Sequence, residues 1–145
     1  MPRRDFDTYS TPQSLADAIA LFLRESMRLR PQSILEPSAG QGNFIRAAHH
    51  TWPDAKILAV DAYAGAHDAN INAGAADFYR GTWQSFRGSD SIKGADLILG
   101  NPPFTEAQEH IEVALESMGE GAHLAFILRL SFLCSAERHE SFWSK

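Results

Sequence analysis

A chain of 145 residues with 44% hydrophobic content is one globular domain with room for a sizeable core, and no repeat or low-complexity segment interrupts it. The formal net charge of -5 argues against capture of a polyanion by bulk charge, and the single cysteine, Cys134, excludes an intrachain disulfide. The N-terminus is polar and apolar runs such as Leu124 to Leu128 are far too short to span a bilayer, so a cytoplasmic protein without membrane contact is expected.

The first ten residues are polar apart from Tyr9, with Arg3 and Arg4 as local basic groups. Thr11 suits an N-cap and Pro12 a first helical position, and Leu15, Ile19, Phe22 and Leu23 form an apolar face that predicts a helix to about Arg30. Arg24, Arg28 and Arg30 are expected on its solvated side. An apolar strand from Ser33 runs into the Gly-rich turn Ser38-Ala39-Gly40-Gln41-Gly42 and then a short helix, Phe44 to His50. Lys56 to Val60 is a second strand, closed by Asp61. An Ala-rich helix from about Ala64 to Asn72 follows, then a strand between Asp77 and Trp83. The apolar run 95–100 reads as a strand because Pro102 and Pro103 forbid helical continuation. Thr105 to Gln108 has the form of a capping box, and Ile111, Ala114, Leu115 and Met118 give the helical period before Gly119. His123 to Leu130 is a fifth strand, and Ser135 to Trp143 a last helix that packs Phe142 and Trp143 on the sheet. Alternating strands and helices predict an α/β, Rossmann-like three-layer domain with a mostly parallel central sheet and right-handed crossovers. Cys134, among apolar neighbours, is expected to be buried.

Two sites in this pattern carry chemistry. The Gly40 and Gly42 turn lacks the third glycine of a dinucleotide fingerprint and the Lys-Ser/Thr of a Walker loop, so its glycines serve close backbone approach to a ligand. Asp61, about twenty residues on at a strand end, suits ribose hydroxyls. The second site is Asn101-Pro102-Pro103-Phe104 at a strand's carboxyl end, the edge where open parallel sheets bind ligands. The Asn101 amide oxygen and the Pro102 carbonyl are two acceptors, and Phe104 is a flat face; together they suit a planar substrate bearing an exocyclic amine.

In these residues the chain resembles the class I S-adenosylmethionine-dependent methyltransferases, and among them the DNA adenine N6 type found in phages and other mobile elements. The resemblance rests on Tyr9-Ser10-Thr11-Pro12, Glu36 to Gly42, Asp61 and Asn101 to Phe104, in that order, across residues 9 to 104. It implies S-adenosylmethionine as cofactor and DNA as substrate. Tyr9, Thr11 and the Glu36, Pro37, Ser38, Ala39, Gly40 and Gly42 segment would line the methionine side of the cofactor pocket, with Asp61 and Ala62 at the ribose. Asn101, Pro102, Pro103 and Phe104 would be catalytic. Two alignments compete for the contact with the cofactor's adenine: Asp77-Phe78, which has the usual letters, and Thr82-Trp83, which has the usual distance and is favoured.

The resemblance also implies a seven-stranded sheet ending in a hairpin of strands 6 and 7, which this chain is expected to lack. Either the domain is C-terminally incomplete, a truncation of a longer protein, or a partner chain or a second copy covers the sheet edge. With the charge of -5, DNA binding is expected to be weak or partner-assisted, with Arg80, Arg87 and Lys93 near the active edge as phosphate contacts. Methylation of a release-factor glutamine or an RNA base, and a non-catalytic cofactor-binding subunit, are the alternatives. No metal is expected, since the six histidines show no ligand spacing.

Overall fold

The computed structural model describes residues 10–134 and residue 144. Strands β1 (Ser33–Pro37), β2 (Lys56–Asp61), β3 (Asp77–Arg80), β4 (Leu97–Gly100) and β5 (His123–Phe126) form one sheet in the order β3-β2-β1-β4-β5, and every neighbouring pair is parallel. Four helices, α1 (Gln13–Glu25), α2 (Asn43–Thr51), α3 (Ala66–Ala73) and α4 (Ala107–Ser117), cover it. The strands read as nearly continuous apolar runs because both faces of a parallel sheet are covered, and alternate residues point to opposite layers. Ile34, Ile57, Ala59, Leu97 and Leu99 share a core with α1, α2 and α3; Leu35, Val60 and Ile98 share the other with α4.

The order of the strands creates the site. From β1 the chain moves outward to β2 and β3, then returns to the other side of β1 for β4 and β5. Crossovers therefore leave β1 and β4 in opposite directions, which opens a crevice outside their carboxyl ends. Pro37 and Gly100 close the two strands at that crevice.

Several local expectations are corrected. Pro12, not Thr11, caps α1, without a side-chain cap bond, because Thr11 is engaged across the site. The helix stops at Glu25, and Arg28 takes a left-handed φ of 57° beyond it, so only Arg24 of the three arginines lies on α1. Its buried face is Ala16, Ala20 and Leu23, with Ile19 partly covered, while Leu15 and Phe22 are 42% and 55% exposed. Small side chains win here because α1 lies against α2, whose Ala47 and Ala48 are themselves buried. The capping box at Thr105 does not form: a 3-10 turn spans Phe104–Glu106, and Glu106 precedes α4 without a side-chain cap. On α4, Leu115 is exposed and His110 is buried, the reverse of a purely apolar reading. β3 ends at Arg80 and β5 at Phe126, both shorter than expected. Cys134 is exposed, with its thiol toward the Leu130 carbonyl. Arg3, Arg4, Tyr9 and the expected helix from Ser135 to Trp143, with Phe142 and Trp143, lie outside the described residues. Among the described residues no helix is long and apolar enough to cross a membrane.

Ile98 is completely buried in the central strand β4, so Ile98→Ala should cost about 2–5 kcal/mol in urea unfolding, whereas Phe22→Ala on the exposed side of α1 should change stability by roughly 0.5 kcal/mol or less. Equal losses would contradict this assignment of the core.

Candidate functional site

The turn after β1 is built by backbone conformation that few residues accept. Ser38, Gly40 and Gly42 all have positive φ, at 64°, 55° and 76°. At Gly42 a Cβ would lie 3.1 Å from Ala73 Cβ and from Asn70 Oδ1, so glycine is required there by space as well as by φ. Gly42 then leads directly into α2.

Three side chains hold this turn. Asp61, buried at the end of β2, accepts the Gly40 N–H at Oδ2 and the Tyr63 N–H at Oδ1, each at 2.8 Å. Each oxygen keeps a further lone pair for a ligand hydroxyl. Asn70, fully buried on α3, donates to the Gly40 carbonyl at 3.0 Å and to the Ala66 carbonyl at 2.8 Å. The Gly40 peptide is thus gripped on one side by β2 and on the other by α3. Ser38 Oγ lies 2.9 Å from His110 Nε2, and His110 Nδ1 lies 3.1 Å from the Glu106 carbonyl. A carbonyl can only accept, so Nδ1 carries the proton and Nε2 accepts from the Ser38 hydroxyl. Burial lowers the His110 pKa, which keeps the imidazole neutral as this arrangement needs.

Glu36 stands at the centre of the crevice. It is buried, its Oε2 has no hydrogen-bond partner, and its Cγ would be 3.3 Å from a Cβ at Gly100. Gly100 is therefore bare so that the Glu36 side chain can cross over β4. Burial raises the Glu36 pKa well above the ordinary 4.5, and the nearby Asp61 charge raises it further, although a hydrogen bond from the Ile45 N–H acts to lower it. Two buried carboxyl groups that repel one another, one with an unpaired oxygen, form a donor set suited to a cationic ligand with hydroxyls.

Asn101 follows β4 across from this turn. Its Nδ2 donates to Thr11 Oγ1 at 3.2 Å, while its buried Oδ1 has no partner. Thr11 is itself fixed, because its carbonyl accepts from Asn43 Nδ2 at 2.6 Å. The Pro102 carbonyl accepts no described backbone hydrogen bond. Phe104 is half-buried, with the Arg129 guanidinium 4.3 Å from its ring centroid.

The structure therefore brings Thr11, Glu36 to Gly42, Asp61, Ala62 and Asn101 to Phe104 to one sheet edge. It also separates the two alignments for the third motif. Asp77 opens β3 opposite Leu58, at the amino edge, whereas Thr82 follows the Arg80 end, beside Asp61, where the Gly81 N–H bonds the Asp61 carbonyl. Thr82 is exposed at the crevice side, but Trp83 is buried beneath it, with its indole N–H on the His110 carbonyl at 3.1 Å. Lys93 lies before β4, at the opposite edge, paired with Asp90, and Arg87 is paired with Glu112 and Glu116 of α4. Arg80 alone of those three stands at the carboxyl edge.

Sequence reasoning missed Asn70, His110, Asn43 and Arg129. Asn70 left a signal, a polar residue between Ala66 and Ala73 on the inner side of a small-residue helix; His110 left one too, falling between the apolar positions of α4.

No family model matches the chain. It is 27% identical over 118 residues to the type II methyltransferase M.NspV of a Nostoc species, a match that covers 72% of this chain and 24% of that protein. Among solved structures it resembles a candidate RNA methyltransferase from Pyrococcus horikoshii, with a TM-score of 0.74 and 17% identity over 99% of this chain and 74% of the other. It also resembles the plantazolicin methyltransferase BpumL bound to SAH, with a TM-score of 0.63 and 19% identity over 91% of this chain and 51% of the other. The fold is that of the class I methyltransferases. The chain spans about a quarter of the length of the curated relative that it matches.

Two outcomes follow from the geometry. Because the folded Glu36 pKa is raised, the stability that its protonated form contributes is complete below the unfolded pKa near 4.5 and is lost as pH rises through the folded value. Glu36→Gln, which stays neutral, should therefore gain in melting temperature relative to the unchanged chain more at pH 8 than at pH 5; parallel curves would contradict a raised pKa. Gly42→Ala should lose about 1–3 kcal/mol in urea unfolding through its positive φ and the contact with Ala73 and Asn70.

Proposed function

We propose that this chain, on its class I methyltransferase fold, transfers a methyl group from S-adenosylmethionine to the N6 amino group of adenine in DNA. The observation that carries the reading is the Asn101 amide: its nitrogen is committed to Thr11, and its buried oxygen has no partner beside the Pro102 carbonyl. Two acceptors at one strand end, with an aromatic ring two residues on, match an exocyclic amine with two hydrogens on a planar ring. The match to a type II methyltransferase favours DNA as the polymer that carries this ring.

The residues of the Gly-rich turn fit the cofactor. Asp61 retains lone pairs for ribose hydroxyls, and Glu36, whose Oε2 is unpaired, offers a carboxyl that an ammonium or sulfonium group would return to its charged form. Thr82, beside Asp61 at the carboxyl edge, is the candidate contact for the cofactor's adenine. When bound, S-adenosylmethionine supplies an electrophilic methyl group.

An adenine amine is a weak nucleophile because its lone pair is delocalised into the ring. Asn101 Oδ1 and the Pro102 carbonyl accept its two hydrogens and draw the nitrogen toward tetrahedral geometry, which releases the lone pair for attack. Phe104 offers a stacking face that offsets part of the cost of taking a base out of a duplex, a few kcal/mol. Thr11 holds the Asn101 amide so that its oxygen, and not its nitrogen, meets the amine. No group need act as a strong base, because the methylated nitrogen is acidic enough to release its extra proton to solvent; positioning lowers the barrier.

The likeness to a candidate RNA methyltransferase across almost the whole chain favours a second reading, the same chemistry on an RNA base. Incubation of the chain and S-adenosylmethionine with DNA, and separately with RNA, followed by mass spectrometry of the digested nucleosides, distinguishes the two. N6-methyladenine is expected from DNA and should fall at least about a hundredfold with Asn101→Ala, the size expected when one preorganised polar contact to the reacting group is lost. Methylated RNA with unmodified DNA would replace the first reading by the second, and no product from either would leave a non-catalytic cofactor-binding chain.

A further inference from the structure

Arg129 is the cation that the structure sets against the catalytic segment. It follows β5, between two anchors: the Ile127 N–H bonds the Gly100 carbonyl at 3.0 Å, and Phe132 is buried with Ala107 and Ile111 at the start of α4. The intervening backbone is therefore anchored at both ends, with the Arg129 side chain against Phe104. Among the described residues Arg129 forms no ion pair with a carboxylate, in contrast to Arg24, Arg87 and Lys93. Its guanidinium instead lies on the Phe104 ring, 4.3 Å from the centroid, while the residue as a whole is exposed.

A planar ring that stacked on Phe104 from the side that Arg129 covers would have to displace the guanidinium. Stacked rings sit about 4.5 Å or more apart, so the present spacing admits no third ring between guanidinium and phenyl. We propose that Arg129 is the substrate-positioning residue that caps the outer face of the planar ring: it rests on Phe104, lifts as the ring takes its place there, and closes on the opposite side. The inference rests on the reading of this site as one for a planar amine. A guanidinium is suited to the task because it is planar, always charged and weakly hydrated, so it stacks on a π-face at little desolvation cost. It is mounted on an exposed and flexible stem between fixed points, which allows the small outward movement. No bond is made or broken by Arg129, so its effect should fall on binding of the ring and not on the transfer step.

The test is steady-state methylation of DNA by the unchanged chain, Arg129→Ala and Arg129→Lys, with S-adenosylhomocysteine binding measured by calorimetry for each as a check on folding and on the cofactor site. Arg129→Ala and Arg129→Lys should both raise KM for DNA about tenfold, leave kcat within a factor of about two and bind S-adenosylhomocysteine as the unchanged chain does. Lysine keeps the charge without the plane, so a Lys variant with unchanged KM would overturn the stacking role in favour of a phosphate contact. An Ala variant with equal or lower KM would overturn it by marking the guanidinium as an obstruction, and a loss of S-adenosylhomocysteine binding by both variants would overturn it in favour of a structural role. If the unchanged chain methylates neither DNA nor RNA, the reading of the site itself fails and the inference falls with it; if it methylates RNA alone, the same three outcomes are read with RNA.

Discussion

The site depends on the carboxylate of Asp61. It ends β2, and its two oxygens bind the backbone N–H groups of Gly40 and Tyr63, so a single buried side chain ties the turn after β1 to the turn after β2. Without it the positive φ angles at Ser38, Gly40 and Gly42 would lack their main tether, and a strained turn persists only where the surroundings over-determine it. Asn70 from α3 and His110 from α4 add their grips from the two opposite layers of the domain. The Gly-rich turn is thereby fixed from both faces of the sheet, which is the preorganisation that the proposed reaction, driven by positioning, requires.

Across the crevice the same economy governs the acceptor side. One hydrogen bond, from Asn101 to Thr11, orients the amide, and a second, from Asn43 to the Thr11 carbonyl, fixes Thr11 to the first residue of α2. The helix that receives the Gly-rich turn is therefore linked to Asn101, the residue proposed to meet the substrate. Gly100 lies beside Glu36, where a Cβ would crowd the Glu36 Cγ at 3.3 Å. Polar atoms left unpaired in a buried place destabilise a fold, and among the described residues Glu36 Oε2, Asn70 Oδ1 and Asn101 Oδ1 are such atoms, the first and last at the carboxyl ends of the neighbouring strands β1 and β4. Their position next to the switch in strand order is where an open parallel sheet binds its ligands.

Much of this was legible in the residues. Parallel strands buried on both faces declare themselves as short apolar runs, and the glycines and prolines that end them fall at the crevice, so the order of elements and the edge that carries the site could be read directly. The helix faces could not. On α1 the buried stripe is Ala16, Ala20 and Leu23, because α2 approaches closely enough to select small side chains, and a reading that sought large apolar residues chose Leu15 and Phe22 instead. At α4 the local capping pattern lost to the 3-10 turn that carries the chain out of the double proline. The supporting residues were hidden for a different reason. Asn70, His110 and Arg129 act through partners 30, 72 and 25 positions away, Gly40, Ser38 and Phe104 respectively, and no local spacing encodes such contacts. Cys134 looked buried from its apolar neighbours but lies on the exposed side of the turn after Phe132.

The claim on which the rest stands is that the Gly-rich turn and Asp61 hold S-adenosylmethionine. Isothermal titration of the chain with S-adenosylhomocysteine tests it without requiring a substrate, with Asp61→Ala as the comparison. One molecule bound per unchanged chain, with binding abolished in a variant that remains folded, is the predicted result. No heat of binding at any accessible concentration would contradict the account, and so would equal binding by Asp61→Ala.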